Sequence, residues 1–495
     1  MKSIFRATAI LSSSSIISIF LSLVTAKVLA LYLQPEGYGY YGLLQSFIAV
    51  SSLVAGLGIP TGIVRMGAAA AKRGDSETLA NLRIASWFLF SVLGVVALFL
   101  IAVFRVRLSV LVLGTPTRGG TILLMSLALL FTVAANIQVG TLNAYHRVKA
   151  LAKYAVANTV LGAAVSIGAV LIWRVQGIAV AVIGGAIVTL LVSSYFLRRE
   201  ISPVNVKLSR QGTLKAARYL VRFGGPYTAS MFVGTGVQLT IPMLVLHLLS
   251  PESVGYYRAA AGISVGYLGF LMTAMSQDYY PRVSAAADKP VELVELINAQ
   301  HRLVMLLAVP MILGTLALVP YLVPLVYTLK FRPTVEILEW QLIGDIFKFA
   351  SWTMSFAILA RSASSVFFLI ELTGGVVTLL STWISVRLFG LTGLGISFLV
   401  TYVIYYFVVW AVIRREVPLV WSKSNQRMLI AGIAAAIVVR IFPSTRFGAL
   451  RTPVALALAL AAGIPSLVVV WREFKGKRNV LGGTAIRAEE SVVEV

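Results

Sequence analysis

Long apolar runs separated by short polar connections recur along the whole chain. A helix needs about 20 mainly apolar residues to cross the hydrocarbon of a bilayer. Twelve windows meet that standard: Thr8–Leu33, Tyr41–Met66, Ile84–Phe104, Gly120–Leu142, Tyr154–Trp173, Gly177–Leu197, Phe223–Leu248, Val254–Ser276, His301–Leu325, Ile337–Arg361, Ser364–Val386 and Leu391–Ile413. Two weaker windows follow: Met428–Pro443, which carries Arg440, and Thr452–Trp471. The pattern predicts an all-α, polytopic membrane protein with fourteen transmembrane helices. Glycines, prolines and the run Ser12–Ser15 fall inside these windows, where membrane helices tolerate them.

Composition agrees with the pattern and removes several function classes. Hydrophobic residues make up 59% of the chain, charged residues only 12%, and the mean hydropathy is +0.90. An ordinary soluble domain carries roughly a quarter charged residues, so a cytosolic globular enzyme is excluded. Lys and Arg number 42 against 18 Asp and Glu, a net charge of +24. In a soluble chain that excess would suggest nucleic acid. Beside fourteen apolar windows it reads as basic connections facing an anionic inner leaflet, with membrane lipids and not nucleic acid as partners. The basic residues gather at the amino terminus (Lys2, Arg6), in the connections after even-numbered spans and in the tail, which puts both termini in the cytoplasm. The amino terminus has the basic-then-apolar look of a signal peptide, but its apolar stretch is too long and no small-residue cleavage site ends it. It is therefore read as the first span. No cysteine occurs, and His146, His247 and His301 are far apart, so no disulfide or zinc site is expected. The phosphate-cradling motif G-x-x-x-x-G-K-[ST] is missing too, so neither ATP hydrolysis nor any cofactor is expected.

The chain repeats itself. LQPEGYGYYG (Leu33–Gly42) aligns without gaps on LSPESVGYYR (Leu249–Arg258), 216 residues on. VRMGAAAAK (Val64–Lys72) lies on PRVSAAADK (Pro281–Lys289) at an offset one residue longer, and Arg174 with Gly177 lies on Arg387 with Gly390 at an offset three residues shorter. Matches in this order predict two parallel six-helix lobes about an axis along the membrane normal, with the shared site between them. The predicted lobes are residues 1–210 and 211–415, followed by two appended helices in 416–475 and a cytoplasmic tail in 476–495. The longest connection, Arg198–Arg222, is the linker, and none is large enough for a soluble catalytic domain. In the repeated turn Pro35 and Pro251 stop one helix while Glu36 and Glu252 begin the next, and the tyrosine pairs Tyr40, Tyr41 and Tyr256, Tyr257 suit the membrane interface.

Three features carry a family resemblance: LALYLQPEGYGYYGLLQSF at the end of the first span, the small and basic run after the second, and R-x-x-G at the start of the sixth and twelfth. Over roughly Met1–Arg415 the chain resembles the polysaccharide-transporter branch of the multidrug, oligosaccharidyl-lipid and polysaccharide exporter superfamily, the bacterial flippases for undecaprenyl-diphosphate-linked oligosaccharides such as O-antigen units. The resemblance implies two lobes around a central cavity, alternating access, residence in the inner membrane of a prokaryote, and transport rather than enzyme chemistry. It also implies dealings with a polysaccharide polymerase and assembly proteins. A multidrug or cation antiporter and a peptidoglycan-precursor flippase of the same fold are the rival readings; a membrane glycosyltransferase or polymerase, which needs sizeable outer loops, fits less well.

Moving a diphosphate through hydrocarbon calls for Arg or Lys, and each charge at mid-span costs at least ~2.5 kcal/mol. Intramembrane charges are therefore the candidates. Lys27 lies in the first span, Arg258 stands where the first lobe has Gly42, and Lys348 has Asp345 three residues earlier on the same helix face, a spacing that predicts an ion pair. Cationic cavities in flippases that the chain resembles strengthen Lys27 and Arg258. Glu371 is the candidate proton carrier, with Asp345 as a second possible coupling acid; Glu371 aligns on Asn158 in the shorter register. Asn136, Gln138, Asn158 and Gln238 are candidate partners for sugar hydroxyls. The first span has Lys27 and no acid, which argues against cation antiport. With the cell interior negative, outward movement of an anionic cargo releases ~2.3 kcal/mol per charge per 100 mV.

Overall fold

A computed structural model describes residues 2–201, 209–264, 266, 269–361, 364–441 and 452–468. Part of the basic linker and the tail after Val468 lie outside them. The helices are α1 (Lys2–Gly56), α2 (Ile59–Arg73), α3 (Ser76–Leu113), α4 (Gly119–Ala144), α5 (Val148–Trp173), α6 (Gly177–Glu200), α7 (Arg210–Leu248) and α8 (Pro251–Ile263). They continue with α9 (Gly269–Ala285), α10 (Pro290–Val326), α11 (Thr334–Arg361), α12 (Ser364–Phe389), α13 (Gly393–Glu416), α14 (Lys423–Ile441) and α15 (Thr452–Val468). Among the described residues nine stretches are long and apolar enough to cross a bilayer. Two of them, Val148–Glu200 and Ser365–Glu416, each hold two helices joined by a three-residue turn. Large apolar side chains such as Phe88, Phe99, Ile172, Leu191, Leu388 and Ile430 point outward. An exposed apolar band of this extent is made for lipid, and the chain is a multi-pass membrane protein.

Local sequence explains where the helices break. α1 kinks at Gln34 (φ 59°, ψ 177°), immediately before Pro35, whose ring excludes a helical conformation at the preceding residue. Leu57 and Gly58 (φ 40° and 61°) separate α1 from α2, so the second predicted span is a broken helix. α2 closes on Gly74 in the left-handed conformation, and Asp75 caps α3 by accepting from the Thr78 N–H at 2.9 Å and the Thr78 hydroxyl at 2.7 Å. These bonds favour the charged form and hold the Asp75 carboxyl below its ordinary range.

The described chain falls into two compact units. The first is Met1–Ala259 with Val323–Thr334; the second is Ala260–Leu322 with Val335–Val495. α7 packs on α1, α2 and α3 in the first unit. The repeat is visible in element lengths: α5 and α12 have 26 residues each, a three-residue turn follows each, and α6 and α13 have 24 each.

The structure also corrects the register of the third sequence match. Gly177 and Gly393 both start a helix where any side chain would strike a carbonyl of the helix before, that of Ala169 or of Ser385. Arg174 and Gly390 both begin their turns with positive φ, 48° and 57°. The offset is therefore 216 here as well. Asn158 corresponds to Gly374, and Glu371 corresponds to Ala155 rather than to Asn158.

The repeated turn has a packing role beyond marking the membrane boundary. A side chain on Gly39 would run into the Pro251 carbonyl, and one on Gly255 into the Pro35 carbonyl. The two turns thus cross reciprocally, backbone on backbone. At the same crossing the Arg258 guanidinium donates to the Gly42 carbonyl at 2.6 Å and fills the place a side chain on Gly42 would take. Gly42 and Arg258 are equivalent repeat positions facing each other, so one must be small if the other is large. Gly255→Ala is expected to push the turns apart at a cost of about 1–3 kcal/mol, seen as a lower melting temperature in detergent. Gly225→Ala on α7, where a Cβ meets nothing within 4 Å, is the control expected to leave it unchanged.

Candidate functional site

The first unit has an open cavity of about 540 Å³ lined by α1, α4, α5 and α6. Small residues on α5 and α6 open it: Gly162, Ala163, Ala181, Gly185 and Ala186. A Cβ built on Gly162 or on Gly185 meets nothing within 4 Å. The polar part of the wall is Ser22, Thr25, Tyr38, Tyr41 and Gln45 from α1, Thr132 from α4, Asn158, Thr159 and Ser166 from α5, and Thr189 from α6. Among the described residues, no Asp, Glu, Lys or Arg lines it. A polar, uncharged space of this kind inside an apolar bundle suits a neutral polar guest.

Of the amides named from sequence, Asn158 lines the cavity, and its Oδ1 is buried without a protein donor. Asn136 and Gln238 are exposed and do not line it. Gln138 joins α4 to α6, its Oε1 accepting from Ser193 at 2.6 Å and Ser194 at 3.0 Å. Arg258 stands among Tyr38, Tyr41, Tyr257 and Tyr327. Two of these, Tyr38 and Tyr41, also line the cavity, so its guanidinium lies beside that wall. Lys27 is bound to backbone: its ammonium donates to the Pro324 carbonyl at 3.0 Å and to the Tyr327 carbonyl, at the carboxyl end of α10 where cations are favoured.

In the second unit, Lys348 Nζ is 3.5 Å from Asp345 Oδ1, and Ser264 donates to Asp345 Oδ2 at 2.7 Å. Glu371 Oε1 accepts from the Tyr405 hydroxyl at 2.7 Å. The corrected register explains why these groups are so placed. On α6 the cavity face reads Ala181, Val182, Gly185, Ala186 and Thr189; the equivalent positions on α13 are Ser397, Phe398, Thr401, Tyr402 and Tyr405. The rings pack on one another, Phe398 on Tyr402 at 4.7 Å and Tyr402 on Tyr405 at 6.2 Å, and Tyr405 lies against Gly374, the equivalent of Asn158. The face that is open in the first unit is filled by aromatic rings in the second. Lys348 stands over two of them, 5.6 Å from Phe398 and 5.5 Å from Tyr402.

The hydroxyl groups of this wall did not stand out individually, since Ser and Thr are ordinary in membrane helices. The collective signal is a spacing of four between small or polar residues on α5 (Asn158, Gly162, Ser166) and α6 (Ala181, Gly185, Thr189), which keeps one face free of bulk.

Residues 28–336 match the family described as "Polysaccharide biosynthesis protein". The chain belongs to this family. Among curated relatives, the lipid III flippase of Escherichia coli (strain K12) is 21% identical over 418 residues, covering 82% of this chain and 96% of that protein. Among solved structures, the lipid II flippase MurJ in an inward closed conformation superposes with a TM-score of 0.70 at 13% identity, covering 95% of this chain and 99% of that one. An inward-facing multidrug resistance MATE family transporter superposes with a TM-score of 0.61 at 18% identity, covering 80% of this chain and 94% of that one. The fold is that of these transporters, and the relatives are transporters and flippases, not enzymes.

Proposed function

We propose that the protein is an inner-membrane flippase that carries a polyprenyl-diphosphate-linked oligosaccharide from the cytoplasmic to the outer leaflet by alternating access, for cell-surface polysaccharide assembly. The observation that carries this reading is the cavity of the first unit, polar and, among the described residues, lined by no ionised side chain. An organic cation taken out of water needs a carboxylate partner in low dielectric, and this wall has none. Sugar hydroxyls need only neutral hydrogen-bond partners. Arg258, beside Tyr38 and Tyr41, is the cation assigned to the diphosphate, since a guanidinium offers five donors and only some are used on Gly42. Membership of a polysaccharide biosynthesis family and the relatedness to a lipid III flippase support the same cargo class.

A second reading is supported by the superposition on MurJ, which extends over 95% of the chain: a flippase for the peptidoglycan precursor. Both cargoes combine a polyprenyl diphosphate with saccharide, and one assay separates them. Proteoliposomes holding either a labelled polyprenyl-diphosphate oligosaccharide or labelled peptidoglycan precursor are probed with an enzyme that reaches only the external leaflet. The first lipid is expected to equilibrate in a protein-dependent way and the second to lag. Arg258→Leu is expected to slow that equilibration at least tenfold, about 1.4 kcal/mol. Lys27→Met, which loses carbonyl bonds instead of a cargo contact, is expected to change the yield of folded protein but not the rate per folded molecule. Movement of peptidoglycan precursor alone would replace the first reading with the second, and movement of neither would withdraw both.

A further inference from the structure

Residues Val323–Thr334, the end of α10 and the turn into α11, belong to the first unit although the rest of both helices belongs to the second. Rings seat this strap. Tyr327 stacks on Phe331 at 5.2 Å, and the Tyr38 ring meets both edge-on at 5.7 Å. Lys27 caps its helical end through the Pro324 and Tyr327 carbonyls; the cap favours folding, and the rings hold the strap in place in molecules that have folded. Two of its hydroxyls reach α8 on either side of Arg258. Tyr327 donates to the Ala259 carbonyl at 3.1 Å, and Thr334 donates to the Tyr256 carbonyl at 3.3 Å. Tyr327 is only 2% exposed, and its hydroxyl is also bonded to that of Tyr38. Its one hydrogen is spent on a carbonyl, which can only accept, so Tyr38 is the donor between them. The chain from Tyr38 through Tyr327 to Ala259 thus runs in one direction and leaves the Tyr38 oxygen as an acceptor beside the Arg258 guanidinium.

A phosphate takes a guanidinium best through two parallel N–H bonds, so the direction of the guanidinium plane decides the contact. Among the described residues no carboxylate pairs with Arg258 to fix that plane. Its direction is set by the backbone it hangs from and by the oxygens around it, the Gly42 carbonyl at 2.6 Å foremost. Tyr327 acts on the backbone one residue further on and on the Tyr38 oxygen as well. The repeat points the same way. The connection after α3, residues 114–118, is the first lobe's counterpart of the strap and has no tyrosine, and the counterpart of Arg258 is Gly42, which has no side chain to position. We propose that Tyr327 is a positioning residue for Arg258, with Thr334 as a weaker anchor on the other side, and that the strap sets the guanidinium for the diphosphate. The assignment rests on the flippase reading and adds residues that act without touching the cargo.

The test uses the full chain in proteoliposomes with labelled undecaprenyl-diphosphate-N-acetylglucosamine at a series of lipid fractions. Tyr327→Phe keeps the ring and removes only the hydroxyl. It is expected to leave the melting temperature unchanged, to raise the half-saturating lipid fraction about fivefold and to leave the maximal rate within a factor of two. Thr334→Val is expected to act in the same direction by a smaller factor. A merely structural hydroxyl would add its effect to any background, whereas a positioning one loses its effect when its target is gone. Tyr327→Phe is therefore expected to change nothing further in Arg258→Leu. Wild-type behaviour of Tyr327→Phe would overturn the proposal, as would the same fivefold effect with and without Arg258. If Tyr327→Phe does not fold, Thr334→Val carries the same comparison in both backgrounds with the same readings. Arg258→Leu at the wild-type rate would remove the diphosphate from Arg258 and this assignment with it. If wild type moves no lipid, the flippase reading fails by itself. Equilibrium dialysis of radiolabelled inorganic pyrophosphate against the full chain in nanodiscs then decides. Retention that Tyr327→Phe weakens, but not in Arg258→Leu, supports the positioning role; no retention, or retention indifferent to Tyr327→Phe, overturns it.

Discussion

Leucine at both Gly162 and Gly185 is expected to stop transport while leaving the protein at least as stable as wild type. Both positions line the cavity, and a Cβ at either meets no atom within 4 Å. The new side chains therefore enter empty polar space and not a packed interface. Both glycines lie inside helices, where glycine is less favourable than an ordinary residue by roughly 0.5–1 kcal/mol, so removing them favours α5 and α6. What they take away is room for the guest and access to the polar wall. The expected readings are an unchanged or raised melting temperature and a flip rate lowered by more than about tenfold, or ~1.4 kcal/mol. Gly168→Leu is the control: that position on α5 also has open space around a Cβ but does not line the cavity, and transport should persist. A double variant that still transports at the wild-type rate would take the cavity off the cargo's route. A sharply lowered melting temperature would mean that the space is not open in the membrane.

That such a cavity had to be found in three dimensions has a physical cause. Hydropathy marks where a chain meets lipid, and it marked the apolar windows well. It says little about which side of a membrane helix faces inward, because lipid and neighbouring helix are similarly apolar. Asn136, Asn158 and Gln238 are the same kind of signal in sequence, an amide inside an apolar window; only Asn158 turns toward the cavity, and the other two are exposed. Helix lengths were under-read for a related reason. α3 runs for 38 residues where the apolar window had covered Ile84–Phe104, since a helix continues through the headgroup region after its residues cease to be apolar. The breaks were legible only in part: Pro35 announces the kink at Gln34, whereas the left-handed pair Leu57 and Gly58 carries no signal beyond one glycine. The repeat was legible through its turns, where Pro35, Gly39 and their equivalents are fixed by backbone crossing. It drifted by three residues at Arg174 because an arginine does there, at positive φ, what Gly390 does in the second unit. With the register restored, the asymmetry of the repeat becomes the informative feature, small residues on α6 and rings on α13.

The filled side of that asymmetry yields the other large expected effect. Asp345 is fully buried and Lys348 nearly so, with a side chain 12% exposed. Removing one partner of such a pair strands the other charge, which costs about 3–5 kcal/mol, whereas replacing both with apolar groups of similar size is neutral or stabilising. Asp345→Asn is accordingly expected to lower the melting temperature steeply, because the Lys348 ammonium keeps the faces of Phe398 and Tyr402 but loses its counter-charge. The double variant Asp345→Leu with Lys348→Met should recover most of that loss, although Ser264 gives up its carboxylate acceptor and part of the gain with it. The same pair of variants separates packing from coupling. If the ion pair serves to hold α11 against the rings of α13, the double variant regains transport together with stability, and its response to an imposed membrane potential matches that of wild type. If the pair carries the coupling ion, the double variant is stable and no longer responds to the ion gradient. The burial of both charges among rings, in the unit whose equivalent of the cavity face is filled, favours the first outcome. It leaves Glu371, half-buried and bonded to Tyr405 at 2.7 Å, as the acid whose substitution should then be read for coupling.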